Sequence, residues 1–190
     1  MVLIVQDGNP VLRAKAAPVK NTEFGTSALT TVIQDMKNAL DAQSDGVAIA
    51  APQIGIGKRI FIVRYDRMAA PLPEGEMERP AKYGVYVNPT FVRKARKKAE
   101  VDEGCLSVRG KYGKTVRAER ATVKAQDEHG KLFERGGGGI LAQAFQHEID
   151  HLDGILFIDH ATNIIEVETT DLPTKPRRQS GWLPPEDAHA

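Results

Sequence analysis

His147-Glu148-Ile149-Asp150-His151 sets the terms on which the rest of this chain is understood. In a helix, positions i and i+4 project from one face about one turn apart, so His147 and His151 can grip one metal ion with Glu148 beside it. Two neutral imidazoles hold a divalent cation, and a carboxylate in the next position is placed to take a proton from an attacking water. A helix whose histidines merely cap or solvate would fit the same letters. The flanks weigh against it: Ile140, Leu141, Ala144, Phe145, Ile149 and Leu152 make the segment apolar nearly all round, as in a helix at the centre of a domain. An unpaired charge there would cost on the order of several kcal/mol, and a cation partners all three polar groups at once.

Two imidazoles are too few to hold an ion, so the reading moves outward to a third ligand. In the HExxHxxGxxH arrangement a histidine would stand at position 157; Gly154 matches that pattern, but the residue at 157 is Phe157. A downstream carboxylate, Glu166 or Glu168, is one remaining candidate. The other is Cys105, whose thiolate would complete a Cys-His-His set with a fourth position open. It is the only cysteine in the chain. A lone thiol forms no internal disulfide, which suits a reducing cytoplasm and leaves Cys105 as a small buried hydrophobe or a chemical group.

A length of 190 residues fits one domain with a substantial core, and a formal charge of +1 offers no electrostatic case for nucleic acid or an anionic membrane. No stretch resembles a membrane span, and Met1-Val2-Leu3-Ile4-Val5 is too short, and lacks the basic region, to be a signal peptide. Leu29, Val32, Ile33, Met36 and Leu40 give a helical period from 27 to about 43, with Thr26 or Ser27 as N-cap. Strands are expected at 59–63, 83–87, 90–96, 115–118 and 121–125, then a turn at 127–130 and a short return at 131–134. Gly136 to Gly139 read as flexible backbone leading into the metal helix, which stops near Gly154 before a last strand at 155–158. The proline-containing stretch 66–81 is expected to be a surface loop, and the chain from Asp171 a poorly ordered tail. His129, His160 and His189 lack ligand spacing. The basic run Arg93-Lys94-Ala95-Arg96-Lys97-Lys98 is followed at once by Glu100, Asp102 and Glu103 and reads as a solvated strand edge.

Three stretches in order resemble the motifs of the bacterial peptide deformylase family: Gly46-Val47-Ala48-Ile49-Ala50-Ala51-Pro52-Gln53, Glu103-Gly104-Cys105-Leu106-Ser107 and Gln146-His147-Glu148-Ile149-Asp150-His151. Asp7 to Arg13 and Ala17-Pro18-Val19 are similar to that family as well, and the resemblance runs to about Ile165. It implies one catalytic domain over 1–165 with a tail at 166–190, and an α+β fold of antiparallel β-sheets packed around a central metal-binding helix. It also implies a cytoplasmic hydrolase that removes the formyl group from the N-terminal methionine of new polypeptides. By the same resemblance Cys105, His147 and His151 would bind one divalent ion, Fe2+ with Zn2+ or Ni2+ as substitutes, and Glu148 would be the acid/base. Gln53 and the Leu106 N–H would meet the oxyanion, Glu103 and Arg117 would form a brace, and Val47, Ala48, Val101, Ile140 and Ala144 would line the methionine pocket. The implied partners are formylmethionyl nascent chains and the ribosome near its exit tunnel, with the protein a monomer that contacts neither nucleic acid nor membrane. The chain departs from the family pattern at Ala48, where a second glycine is usual, at Arg109, where proline is usual, and in a tail without the C-terminal helix of some members. An endopeptidase using Glu166 or Glu168, and a non-catalytic relative that keeps the metal, are the competing readings.

Overall fold

The computed structural model of the chain describes residues 2–69 and 79–167. Most of the expected loop at 66–81, the expected tail beyond residue 167, and Glu168 lie outside the described residues. Helix α1 (Ser27–Asp41) buries Leu29, Ile33, Met36 and Leu40, the stripe its periodicity predicts, and Thr26 caps it by accepting the Leu29 N–H at 3.3 Å. Five antiparallel strands form the larger sheet in the order β1 (Ala48–Ala50), β2 (Ile60–Arg64), β3 (Tyr83–Lys94), β6 (Arg120–Gln126), β7 (Leu132–Gly138). A smaller sheet pairs β4 (Lys98–Cys105) with β5 (Val108–Ala118) and β5 with β8 (Thr162–Glu166).

Alternation along β2 explains the layering. Ile60 and Ile62 point into a cluster with α1, while Phe61 and Val63 point into a second cluster with Ala142, Phe145, Ile149 and Leu152 of α2 (Gly139–Leu152). The two helices therefore lie on opposite faces of the five-stranded sheet. Among the described residues no helix is long and apolar enough to cross a membrane.

Several expectations are corrected. Residues 83–94 form one strand, not two; the break falls at a bulge where Asn88 takes φ 53° and its side chain bonds both backbone groups of Val19, replacing lost ladder bonds. Strand β4 was not expected at all. Its outward residues are charged and its inward ones include Glu103, so the apolar alternation that marks a strand is missing. Gly136 to Gly138 are the end of β7 and not a flexible link; a Cβ on Gly137 would stand 2.6 Å from Leu141 of α2, so the absent side chain lets helix and strand touch. Residues 155–158 are not a strand either. Leu156 and Phe157 are both fully buried against Leu12 and Val108, and adjacent residues of a strand cannot point the same way. The last strand is instead β8, exposed along its length.

Candidate active site

The β4–β5 hairpin brings Cys105 to the helix that carries the histidines. Cys105 ends β4, and Leu106-Ser107 turn the chain so that Cys105 pairs with Val108. Gly104 is required there: a Cβ would meet the Tyr112 ring at 2.7 Å. The Cys105 Sγ lies 3.1 Å from His151 Nε2, and the ligand atoms of Cys105, His147 and His151 all lie within 4.8 Å of one another. One ion with ligand bonds of about 2.0–2.3 Å spans such a group after slight side-chain adjustment. Glu166 is elsewhere, exposed at the end of β8 and paired with Lys111 at 3.2 Å.

The imidazole of His147 is set for metal binding by its neighbour. Its Nδ1 donates to Glu103 Oε1 at 2.6 Å, which leaves Nε2 as the ring atom where a cation could take the place of a proton. Glu103 is itself held by Thr115 Oγ1 and by Arg117, whose Nε and Nη2 donate to its two oxygens at 2.9 and 2.6 Å. Burial alone would raise the Glu103 carboxyl, but the hydrogen bonds from His147 and Arg117 keep it well below the usual carboxylate range. The remaining Arg117 nitrogen donates to Asp150 Oδ2 at 2.6 Å, tying the middle of the histidine motif to β5.

Desolvation acts on all three polar residues of the helix motif. It opposes charge on His147, but Cys105 and Glu103 outweigh it and push that ring well above its ordinary pKa. On His151 burial prevails, helped by the neighbouring His147, and the ring is held well below. Burial raises Glu148 to about 7. Among the described residues Glu148 Oε2 and His151 Nδ1 are buried without a hydrogen-bond partner, the mark of a polar site built around something further. A soft thiolate beside two imidazoles is a donor set for a divalent transition metal, so these residues fit such an ion.

Gln53 lies buried beside the cysteine on a short 3-10 turn (Ala51–Ile54). Its Oε1 accepts the Ala50 N–H at 2.8 Å, which aims Nε2 at Cys105 Sγ (3.6 Å) and Ser107 Oγ (3.3 Å). The Leu106 carbonyl accepts from Gln6 Nε2 at 3.1 Å, which fastens the turn after Cys105 to the N-terminal segment. Val47, Ala48, Ile140 and Ala144 share the apolar cluster under α2, whereas Val101, half-buried on β4, is not packed into it. Arg109 binds Asp45 at 2.7 Å and Gln43, fastening the hairpin after Cys105 to the loop before Gly46. Four supporting residues are given no role by the sequence: Thr115, and Asp150, Ser107 and Gln146, which stand inside the motifs without showing what they bind. The last pins α2 to β5 by bonding both backbone groups of Ala118 at 2.9 and 3.0 Å.

The fold and this cluster define a metal-dependent hydrolase of the HExxH type in which a cysteine stands beside the two histidines. The chain belongs to the polypeptide deformylase family, whose profile matches residues 1–166. It is 42% identical over 160 residues to the peptide deformylase of Heliobacterium modesticaldum, covering 84% of this chain and 93% of that one. Among solved structures it resembles the class I type b peptide deformylase of Acinetobacter baumannii bound to Met-Ala-Ser, at 34% identity and TM-score 0.73 over 84% of this chain and 99% of that one. A peptide deformylase from Legionella pneumophila is 39% identical with TM-score 0.69, covering 84% and 85%. Members of the family are enzymes that remove the N-formyl group from an N-terminal methionine, and this chain is one of them.

Proposed function

We propose that this deformylase works through one divalent cation held by Cys105, His147 and His151, with Glu148 carrying the proton, and that residues 1–165 make up the catalytic unit. The observation that carries the reading is the approach of the Cys105 sulfur to the His151 ring at 3.1 Å, beside a buried carboxylate with an unpartnered oxygen. When bound, such an ion lowers the pKa of water and polarises a carbonyl oxygen. Ferrous iron is the ion we assign, with zinc or nickel as substitutes; the mixed sulfur and nitrogen donor set accepts all three.

Each residue then has a task. Glu148, whose carboxyl burial raises to about 7, accepts a proton from the attacking water and gives it up to the leaving amine. The Gln53 amide, already aimed at the sulfur, and the Leu106 N–H donate to the oxygen on which negative charge develops. Glu103 and Arg117 keep His147 in the tautomer that binds. The formyl carbon bears only hydrogen, so a close-fitting site admits it and rejects bulkier acyl groups. Val47, Ala48, Ile140 and Ala144, with Val101 at the edge, are proposed to receive the methionine side chain of a nascent formylmethionyl peptide; the Acinetobacter baumannii relative bound to Met-Ala-Ser supports a peptide of that kind.

Formate release from formyl-Met-Ala-Ser by anaerobically iron-loaded protein tests the reading. Glu148→Ala is expected to keep its metal and lose about 10²–10⁴-fold in turnover, the usual worth of a positioned acid/base. Undiminished turnover overturns that role. Cys105→Ser is expected to shed metal on dialysis, and unchanged metal content would remove Cys105 from the ligand set.

A further inference from the structure

The run from Arg93 to Lys98 places five cations in six residues, and the catalytic site uses none of them. It continues from β3 through a turn into β4, and Arg93 pairs in register with Thr122 of β6. Arg120, Thr122 and Lys124 alternate with Ala121, Val123 and Ala125, which are buried toward α2, so the first three share the sheet face opposite the metal helix. Helix α1 covers that face over β1 to β3 through Ile49, Ile60, Ile62, Val85 and Val87. Over β6 and β7 a groove of about 590 Å³ opens, walled by Arg93, Arg96 and Arg120 and floored by Thr122 and Gly136.

The cations of the groove are not neutralised from within. Lys97 pairs with Glu119 at 2.9 Å, and Glu134 lies opposite Lys124 in register. Among the described residues no carboxylate lies within ion-pair distance of Arg93, Arg96 or Arg120. Three exposed arginine side chains therefore line one groove with no acidic partner among the described residues. The net charge of +1 conceals this concentration because acidic residues elsewhere balance it.

We infer that this groove binds RNA through its sugar-phosphate backbone, without reading sequence, contrary to the expectation drawn from the whole-chain charge. The planar fork of a guanidinium matches phosphate oxygens. Arg93 and Arg120 are diagonal neighbours across two strands, about 7–8 Å apart at the backbone, close to the separation of successive phosphates along one nucleic-acid strand. The floor favours RNA over DNA or an acidic peptide. Thr122 offers a hydroxyl, and β7 ends the sheet, so alternate backbone N–H and C=O groups beside Gly136 point away from β6 as partners for a 2′-hydroxyl. Among the described residues no aromatic side chain lines the groove for base stacking, which is why sequence goes unread. The occupant sits on the far side of the sheet from α2 and leaves the metal site open.

Fluorescence anisotropy of a labelled single-stranded RNA of about 12 mixed nucleotides, titrated with the full metal-loaded chain between ~50 and ~200 mM salt, tests this. Three phosphate contacts predict a slope of log affinity against log salt near −2, at about −0.7 per phosphate. Arg93→Glu with Arg120→Glu is expected to lower affinity at least about 10-fold and flatten the slope, with formate release from formyl-Met-Ala-Ser unchanged. The milder Arg93→Ala and Arg120→Ala should each reduce the slope by about 0.7. No binding at the lowest salt, equal binding by these variants, equal binding of DNA of the same sequence, or tighter binding of polyglutamate would each overturn the inference.

Discussion

Glu103 is the residue on which the Cys105, His147 and His151 cluster leans. Its carboxylate takes hydrogen bonds from His147, Thr115 and two nitrogens of Arg117, and all of these groups are shielded from solvent. Removing one member of a buried ion pair strands the other, at a cost of about 3–5 kcal/mol. Arg117→Ala is therefore expected to lower the unfolding free energy by about that amount in a urea titration and, by loosening His147, to weaken metal binding about 10–100-fold. A variant with normal metal affinity would separate the brace from the site. Gln53 makes a different prediction. Gln53→Ala should cut kcat by about 10²–10³ through loss of one oxyanion donor, while metal content stays intact. If kcat holds and only stability falls, by the ~1–3 kcal/mol expected of a stranded Ala50 N–H, the amide is merely structural.

Legibility differs from element to element. Helix α1 and strand β2 declare themselves because their apolar periods are clean, 3.6 in one and a full run in the other. Strand β4 does not, because the residue it turns inward at Glu103 serves a polar cluster, and a strand that buries a carboxylate lacks the alternating apolar pattern. The glycines before α2 mislead for a related reason: composition marks them as flexible, whereas packing against Leu141 requires the missing side chain. Gly137→Ala is the direct test. A flexible link would tolerate it, but here the added methyl must displace Leu141, and overpacking of that kind typically costs about 1–3 kcal/mol by denaturant titration. Asp66, after β2, gives a pH prediction for the joint between β2 and β3. Burial tends to raise its carboxyl, but Arg64 and the Lys82 N–H hold it below the ordinary 3.8. A depressed carboxylate lends stability above its unfolded pKa and loses it as pH falls through the folded value, so this contribution is whole above pH 3.8 and disappears below. Asp66→Asn should shrink the loss of stability in acid, and an unchanged acid limb would deny Asp66 that part.

At the scale of the whole molecule, α2 stands between two sheets that share no strand. The larger sheet meets it through Phe61, Tyr86 and Val123, and the smaller one reaches it through the Ala118 backbone, Arg117 and the cysteine at the end of β4. The candidate ligand group was legible because the spacing of His147 and His151 is dictated by chemistry, and the resemblance joined Cys105 to them across some forty residues. The brace was known only as a pairing of Glu103 with Arg117, since nothing in the order of residues shows that Thr115 and Asp150 fold onto the same two side chains. From this arrangement follows a prediction for the metal itself. An ion bonded to Cys105 on one side and to His147 and His151 on the other would cross-link the small sheet to the helix, and it would bind the folded chain in preference to the unfolded one. At a free concentration 100 times its Kd that preference is worth about 2.7 kcal/mol. For a chain of this length each kcal/mol moves Tm by roughly 2–4 °C. Chelation should thus lower Tm by about 5–10 °C, reversibly on adding the metal back, and the shift should vanish in Cys105→Ala. A metal-dependent shift that survives in Cys105→Ala would mean that the ion is held by α2 alone and does not join the two halves of the fold.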